Sequence, residues 1–122
     1  MRYVRIYSDQ AGGCRFEERA VDLSPVDFGG TGALMNLSAP VEVERLMFAT
    51  ILPGDLGGRH NAPHRQFFIQ LSGVIEVEGA EGGKILTGPG DISLIEDVEG
   101  SGHITRVVGD TAVTGVFVQL PG

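Results

Sequence analysis

Short runs rich in Val, Ile, Thr and Phe follow one another along the chain, and glycine- or proline-containing turns interrupt them every eight to twelve residues or so. Arg2–Ser8 alternates polar and apolar positions and predicts a first strand, and Arg15–Leu23 predicts a second with Phe16, Val21 and Leu23 as its apolar positions. Between Ser24 and Pro40 the pattern dissolves into Pro, Gly, Asp, Ser and Asn, which predicts a long loop carrying one short strand at Leu34–Leu37. Loops of this length often cover a site. Val41–Leu52 predicts a long strand stopped by Pro53-Gly54, and Arg65–Leu71, apolar at nearly every residue, a strand buried on both faces. Val74–Glu78 and Lys84–Thr87 form a hairpin around Ala80-Glu-Gly-Gly83. Gly88-Pro-Gly-Asp91 is a tight turn, since proline presets φ and glycine supplies a positive one. Ile92–Ile95, a glycine-rich loop over Asp97–Gly102, and the strands His103–Val108 and Ala112–Leu120 complete the chain. No segment carries a sustained 3.6-residue apolar repeat, so nine or ten short strands in an all-β sandwich or small barrel are expected.

Composition narrows the function more than the fold. At 122 residues the chain makes one domain, residues 1–122, with an ordinary 42% of apolar and 20% of charged residues. A net charge of −7 with scattered basic residues lacks the positive footprint that phosphate backbones or anionic membranes require. No apolar run approaches the roughly 20 residues of a bilayer span. The alternating N-terminus is unlike a signal peptide, and the lone Cys14 forms no internal disulfide, so a cytoplasmic location is expected. Cys14 itself shows no nearby partner and is read as inert.

Most of the chemistry lies in Gly54–Gly73, which holds His60 and His64, while His103 follows Glu99-Gly-Ser-Gly much later. On a strand, residues i and i+2 share a face, so His64 and Gln66 lie together, and His60 and Ala62 join them if Pro63 leaves the register intact. His60, His64 and His103 then offer three neutral imidazoles with Gln66 as a weaker oxygen donor, a set that suits a divalent transition metal without choosing among Fe, Zn, Ni and Mn. The plain alternative has His64 pointing to solvent and Gln66 only hydrogen-bonding. Asp97 is the candidate acceptor fixing a ligand's tautomer, its alternative being a bond to its own turn. Phe68 and Gln70 share the face of Gln66, opposite Phe67 and Ile69, and Arg59 and Arg65 are candidate contacts for an anionic substrate.

Gly54-Asp55, then His60, then Gly73 thirteen residues later resembles the first motif of the cupins, and Gly88-Pro-Gly-Asp91 with Gly100-Ser-Gly-His103 resembles the second. The likeness spans about residues 41–120, leaving the strands and loop of 1–40 outside it. It implies a double-stranded β-helix, or jelly roll, whose motifs face each other across a cupin-like barrel. By position, His60 matches the first ligand histidine, Ala62 the second, Gln66 the glutamate and His103 the last histidine. Val98 and Val107 depart from the proline and asparagine common in the second motif.

The expectation is therefore a small-molecule enzyme with His60 and His103 as catalytic residues and a metal-dependent reaction of the dioxygenase or isomerase/cyclase type. Its partners would be a small-molecule substrate, anionic if iron is bound by neutral ligands alone, and a second copy in a homodimer, since short edge strands at the termini invite pairing. Two other readings stay open: a metal-free enzyme with histidine acid–base catalysis, and a non-catalytic ligand-binding sensor or carrier.

Overall fold

In the computed structural model, which describes residues 1–32, 34–55 and 57–122, the alternating segments form twelve strands in three sheets. They are β1 (Arg2–Ser8), β2 (Cys14–Ala20), β3 (Ser24–Asp27), β4 (Leu34–Leu37), β5 (Arg45–Ile51), β6 (Gly54–Asp55), β7 (Gln66–Ser72), β8 (Ile75–Glu78), β9 (Lys84–Thr87), β10 (Ile92–Ile95), β11 (Ile104–Val107) and β12 (Val113–Gln119). Six strands form one sheet in the order β2-β1-β10-β7-β12-β5, four form a second in the order β6-β11-β8-β9, and β3 pairs with β4 alone. Among the described residues, every strand pairing is antiparallel except β1 with β10.

The all-β expectation holds, with three local differences. In the stretch after Ser24 the strand expected at Leu34–Leu37 is present but is paired with a second, unexpected strand in a β-hairpin. Residues 36–39 with Val41 and Val43 line a groove on the outer face of the six-stranded sheet together with Phe67, Ile69 and Val118. The strand expected from Val41 begins at Arg45. Strand β7 alternates instead of being buried on both faces: Gln66, Phe68 and Gln70 are buried, Phe67 and Ile69 half-buried.

The two larger sheets face each other across the core. Ile6, Phe68 and Val113 from one sheet and Ile75, Val77 and Val107 from the other pack together with Cys14. Burying a ring such as Phe68 contributes roughly 2–3 kcal/mol. Its ring occupies the space above Gly115 of β12, where an added Cβ would come within 2.4 Å of it. The buried amide of Gln70 donates to the carbonyls of Gly73 and Thr87 at 2.9 and 3.1 Å and accepts from the Thr87 hydroxyl at 2.7 Å. That network ties β7 to β9, so Gln70 is structural and does not line the cavity described below. At the Gly88–Asp91 turn the Asp91 carboxylate accepts from the Gly88 amide at 2.7 Å.

Arg5 of β1 and Arg65, just before β7, both donate to the Glu96 carboxylate, at 2.7 and 2.8 Å. Burial works to raise the pKa of Glu96, but the two guanidinium hydrogen bonds outweigh it and hold the group below its ordinary 4.5. A depressed carboxylate contributes stability that is present above the unfolded value and lost as pH falls through the folded one. Glu96→Gln is therefore expected to cost about 1 kcal/mol at pH 7 and progressively less as the pH falls, with a smaller loss at about pH 3. Urea midpoints at both pH values test this, and an equal loss at the two would refute the ion-pair account.

Candidate functional site

The site begins with a backbone pairing. His60 and His103 form an isolated antiparallel bridge in which each amide donates to the other's carbonyl at 2.9 Å. Residues paired in this way project their side chains to the same side, and the imidazole centroids lie 4.9 Å apart. The bridge depends on Gly102, which has φ +77° and sits so close to His60 that an added Cβ would be 2.4 Å from the His60 carbonyl oxygen.

The surrounding loops are held by their own polar groups. The Asp97 carbonyl accepts from the Ala62 amide at 3.2 Å and from the Asn61 side chain at 3.1 Å. Asn61 also donates to the carbonyl of Gly100, at 3.2 Å. The Arg59 guanidinium donates to the carbonyls of Gly102 and Gly79 at 2.9 and 3.3 Å and pairs with Glu78. Ser101 donates its amide to Gly12 at 2.8 Å, which ties the loop 97–102 to the turn before β2.

Both imidazoles have the same side occupied. His60 Nδ1 faces the Gly58 carbonyl oxygen at 2.9 Å, and His103 Nδ1 faces Asp97 Oδ2 at 2.5 Å. A carbonyl or carboxylate oxygen only accepts, so each Nδ1 carries the proton and each neutral ring keeps Nε2 as a free acceptor. Asp97 is 0% and His103 5% exposed, whereas His60 is exposed at the mouth. The Asp97 side chain thus reaches the imidazole rather than its own turn.

The two histidines open onto a cavity of about 210 Å³ between the sheets. Gln66, Thr87, Ser93 and Thr105 supply the other polar groups, and Ile6, Phe68, Ile75, Val77 and Phe117 much of the apolar wall. No lysine, arginine, aspartate or glutamate is among the described residues that line it. Arg65 is turned to Glu96 and Arg59 to carbonyls and Glu78, and neither is among the described residues that line the cavity.

Of the residues expected at a metal, the structure brings His60, Gln66 and His103 to this cavity and leaves His64 exposed and outside its lining. The strand argument that placed His64 beside Gln66 fails because residues 61–65 are not extended strand, and β7 begins only at Gln66. Pro63 has no amide to donate to a ladder, which is the reason the pattern breaks there. Ala62 is buried in the wall and offers no donor atom.

The residues present fit a metal ion in one respect. Two imidazoles bound to a common ion at about 2.0–2.1 Å have centroids on the order of 4.5–5 Å apart, and His60 and His103 meet that spacing, with Nδ1 the atom bonded in each ring among the described residues. Gln66 would be the third donor.

A second group was not foreseen. Cys14, Asp97 and His103 are all buried, and one donor atom from each lies within 4.8 Å of the others, a cluster that could hold a metal ion. Burial pushes the Cys14 thiol up to about 12, and the Asp97 carboxylate beside it adds to the shift, so the thiol stays protonated at neutral pH. Asp97 Oδ1 has no hydrogen-bond partner among the described residues. The 2.5 Å contact between Asp97 and His103 is a hydrogen bond, and an ion would have to displace that proton and spread the pair. Cys14 meets Asp97 from a distant part of the chain, so no local signal announced it.

No helix among the described residues is long and apolar enough to cross a membrane. In comparison with known proteins, the chain matches no family model and no curated sequence.

Proposed function

We propose that this chain is a cupin-type jelly roll whose cavity binds a small, largely apolar molecule and transfers a proton at His103. The observation that carries the reading is the fully buried Asp97 carboxylate bonded to His103 Nδ1. An imidazole held this way presents Nε2 to the cavity in a fixed tautomer and orientation, and the carboxylate stabilises the cation formed when Nε2 accepts a proton. His60, whose Nε2 opens onto the same cavity, is the second proton-carrying group, able to return the proton at a neighbouring atom of the substrate. Gln66, Ser93 and Thr105 orient the substrate's polar end, and the apolar wall excludes water. A cavity below the roughly 300–1,000 Å³ of drug-sized pockets and without charged lining favours a small molecule of low charge. Isomerisation or cyclisation through an enol is the reaction class that these groups serve.

The spacing of the imidazoles favours a second reading, in which His60, His103 and Gln66 hold a divalent metal. The ion would supply a Lewis acid to polarise a bound oxygen atom. One experiment separates the readings: untagged protein in deuterated buffer with a panel of small enolisable carbonyl compounds, followed by NMR. Deuterium incorporation on the order of a hundredfold above buffer, lost in His103→Ala and unaffected by a chelator, is expected. Loss of exchange with the chelator would transfer the function to the metal, and no exchange with any compound would sink the proton-transfer reading.

A further inference from the structure

Of the buried cluster Cys14, Asp97 and His103, only His103 lines the cavity. The thiol and the carboxylate are sealed from solvent on the Nδ1 side of its ring. Asp97 is only half satisfied there. Its Oδ2 accepts from His103 Nδ1, while its Oδ1, in a residue that is 0% exposed, has no hydrogen-bond partner among the described residues. A buried carboxylate oxygen left bare is costly, and in native interiors it points to a water, an ion or a chemical role.

The cluster suits a divalent ion in donor type, spacing and charge. Sulfur, nitrogen and oxygen donors together are a zinc set, and the thiolate disfavours magnesium and calcium. One donor atom from each residue lies within 4.8 Å of the others. The ligand atoms of one tetrahedral zinc ion lie about 3.3–3.6 Å apart, so shifts of about 1 Å gather these three around an ion. A thiolate and a carboxylate together cancel the two positive charges of such an ion, which an apolar interior demands. His60, Gln66 and His103 in the cavity are all neutral and provide no such balance.

We infer that Cys14, Asp97 and His103 form a buried site for a zinc-type divalent ion, bound through Sγ, Oδ1 and Nδ1, and that the ion turns His103 off while it is there. The thiol is protonated at neutral pH, and coordination sends its proton to solvent. At His103 the ion takes the place of the Nδ1 proton, and Nε2 takes one up in exchange. The ring stays neutral and one proton leaves per ion. Nε2 then donates instead of accepting, so it can no longer take a proton in the cavity. That consequence rests on the proton transfer proposed at His103, whereas the site does not. The ligands come from the start of β2 and from both ends of the segment 97–103, so the ion also clips these distant parts of the chain together.

Cobalt(II) titrated into the untagged full chain tests the site, with a thiolate-to-cobalt charge-transfer band in the near ultraviolet expected at one ion per chain. His60→Ala, outside the cluster, should keep the band. Cys14→Ser should lose it, with zinc affinity lower by at least about a hundredfold. Should Cys14→Ser misfold, the wild type gives the answer: added zinc should move the nitrogen-15 signals of His103 from the Nδ1–H to the Nε2–H tautomer and raise the urea midpoint. With the site filled, proton exchange in the cavity should fall on the order of a hundredfold. Cobalt bound without the sulfur band, a band that survives in Cys14→Ser, a ring that keeps Nδ1–H in saturating zinc, or full exchange in the zinc-loaded chain would each overturn the inference. A tautomer switch in a chain that exchanges nothing with or without zinc would uphold the site and refute the proton transfer alone.

Discussion

Gly102→Ala is expected to lose about 3 kcal/mol or more of folding stability and to part His60 from His103. Two costs act at this position. Alanine tolerates a φ of +77° poorly, at about 1 kcal/mol. In addition, its Cβ would lie 2.4–2.5 Å from the backbone carbonyl of His60, and backbone in a hydrogen-bonded bridge has little freedom to withdraw. Gly90 isolates the first cost, because it has φ +87° and an added Cβ there would meet no atom within 4 Å. Gly90→Ala should therefore lose only about 1 kcal/mol. Urea denaturation of the two variants gives the comparison, and NMR contacts between the rings of His60 and His103 report on the bridge. Equal losses in the two variants, or intact ring contacts in Gly102→Ala, would show that the close approach does not hold the site together.

The same glycine marks how far the sequence went. The spacing from Gly100 to His103, read through the resemblance to the second cupin motif, pointed to a histidine that the structure brings to the cavity, and the proline–glycine turn at Gly88–Asp91 was legible because it depends on local backbone geometry. The partnership of Asp97 with His103 was also within reach, since both flank one short loop. Cys14 was out of reach, because its position beside Asp97 comes from the packing of β2 against a loop far away in the chain. His64 misled because a period of two applies only to an extended chain, and Pro63 ends that condition. Strand β4 was expected at Leu34–Leu37, and only its hairpin partner β3 was hidden, because its four residues are all exposed and show no amphipathic pattern. Strand β5 shows how exposure can matter more than pattern, since its apolar run predicts a strand correctly while leaving open that Phe48 faces solvent.

Asp97→Asn should leave the fold in place while removing the proton transfer proposed for the cavity. The carboxylate is buried and accepts from His103 Nδ1, so in the wild type His103 holds its proton on Nδ1 and its lone pair on Nε2. Asparagine of the same shape can turn its amide nitrogen toward Nδ1 and donate instead of accepting. His103 would then carry its proton on Nε2, leaving no lone pair to take a proton from a substrate or to bind an ion. Loss of a comparable carboxylate in serine proteases lowers turnover by about 10⁴ through the wrong tautomer. In this cavity, a fall of at least about 10² in proton exchange is expected, with a stability loss of only about 1–3 kcal/mol. Nitrogen-15 spectra of the histidine ring read the tautomer directly, whatever the substrate. A switch from Nδ1–H to Nε2–H that accompanies the loss of exchange would establish Asp97 as the positioning residue. An unchanged tautomer with full exchange would mean that the buried carboxylate serves packing alone.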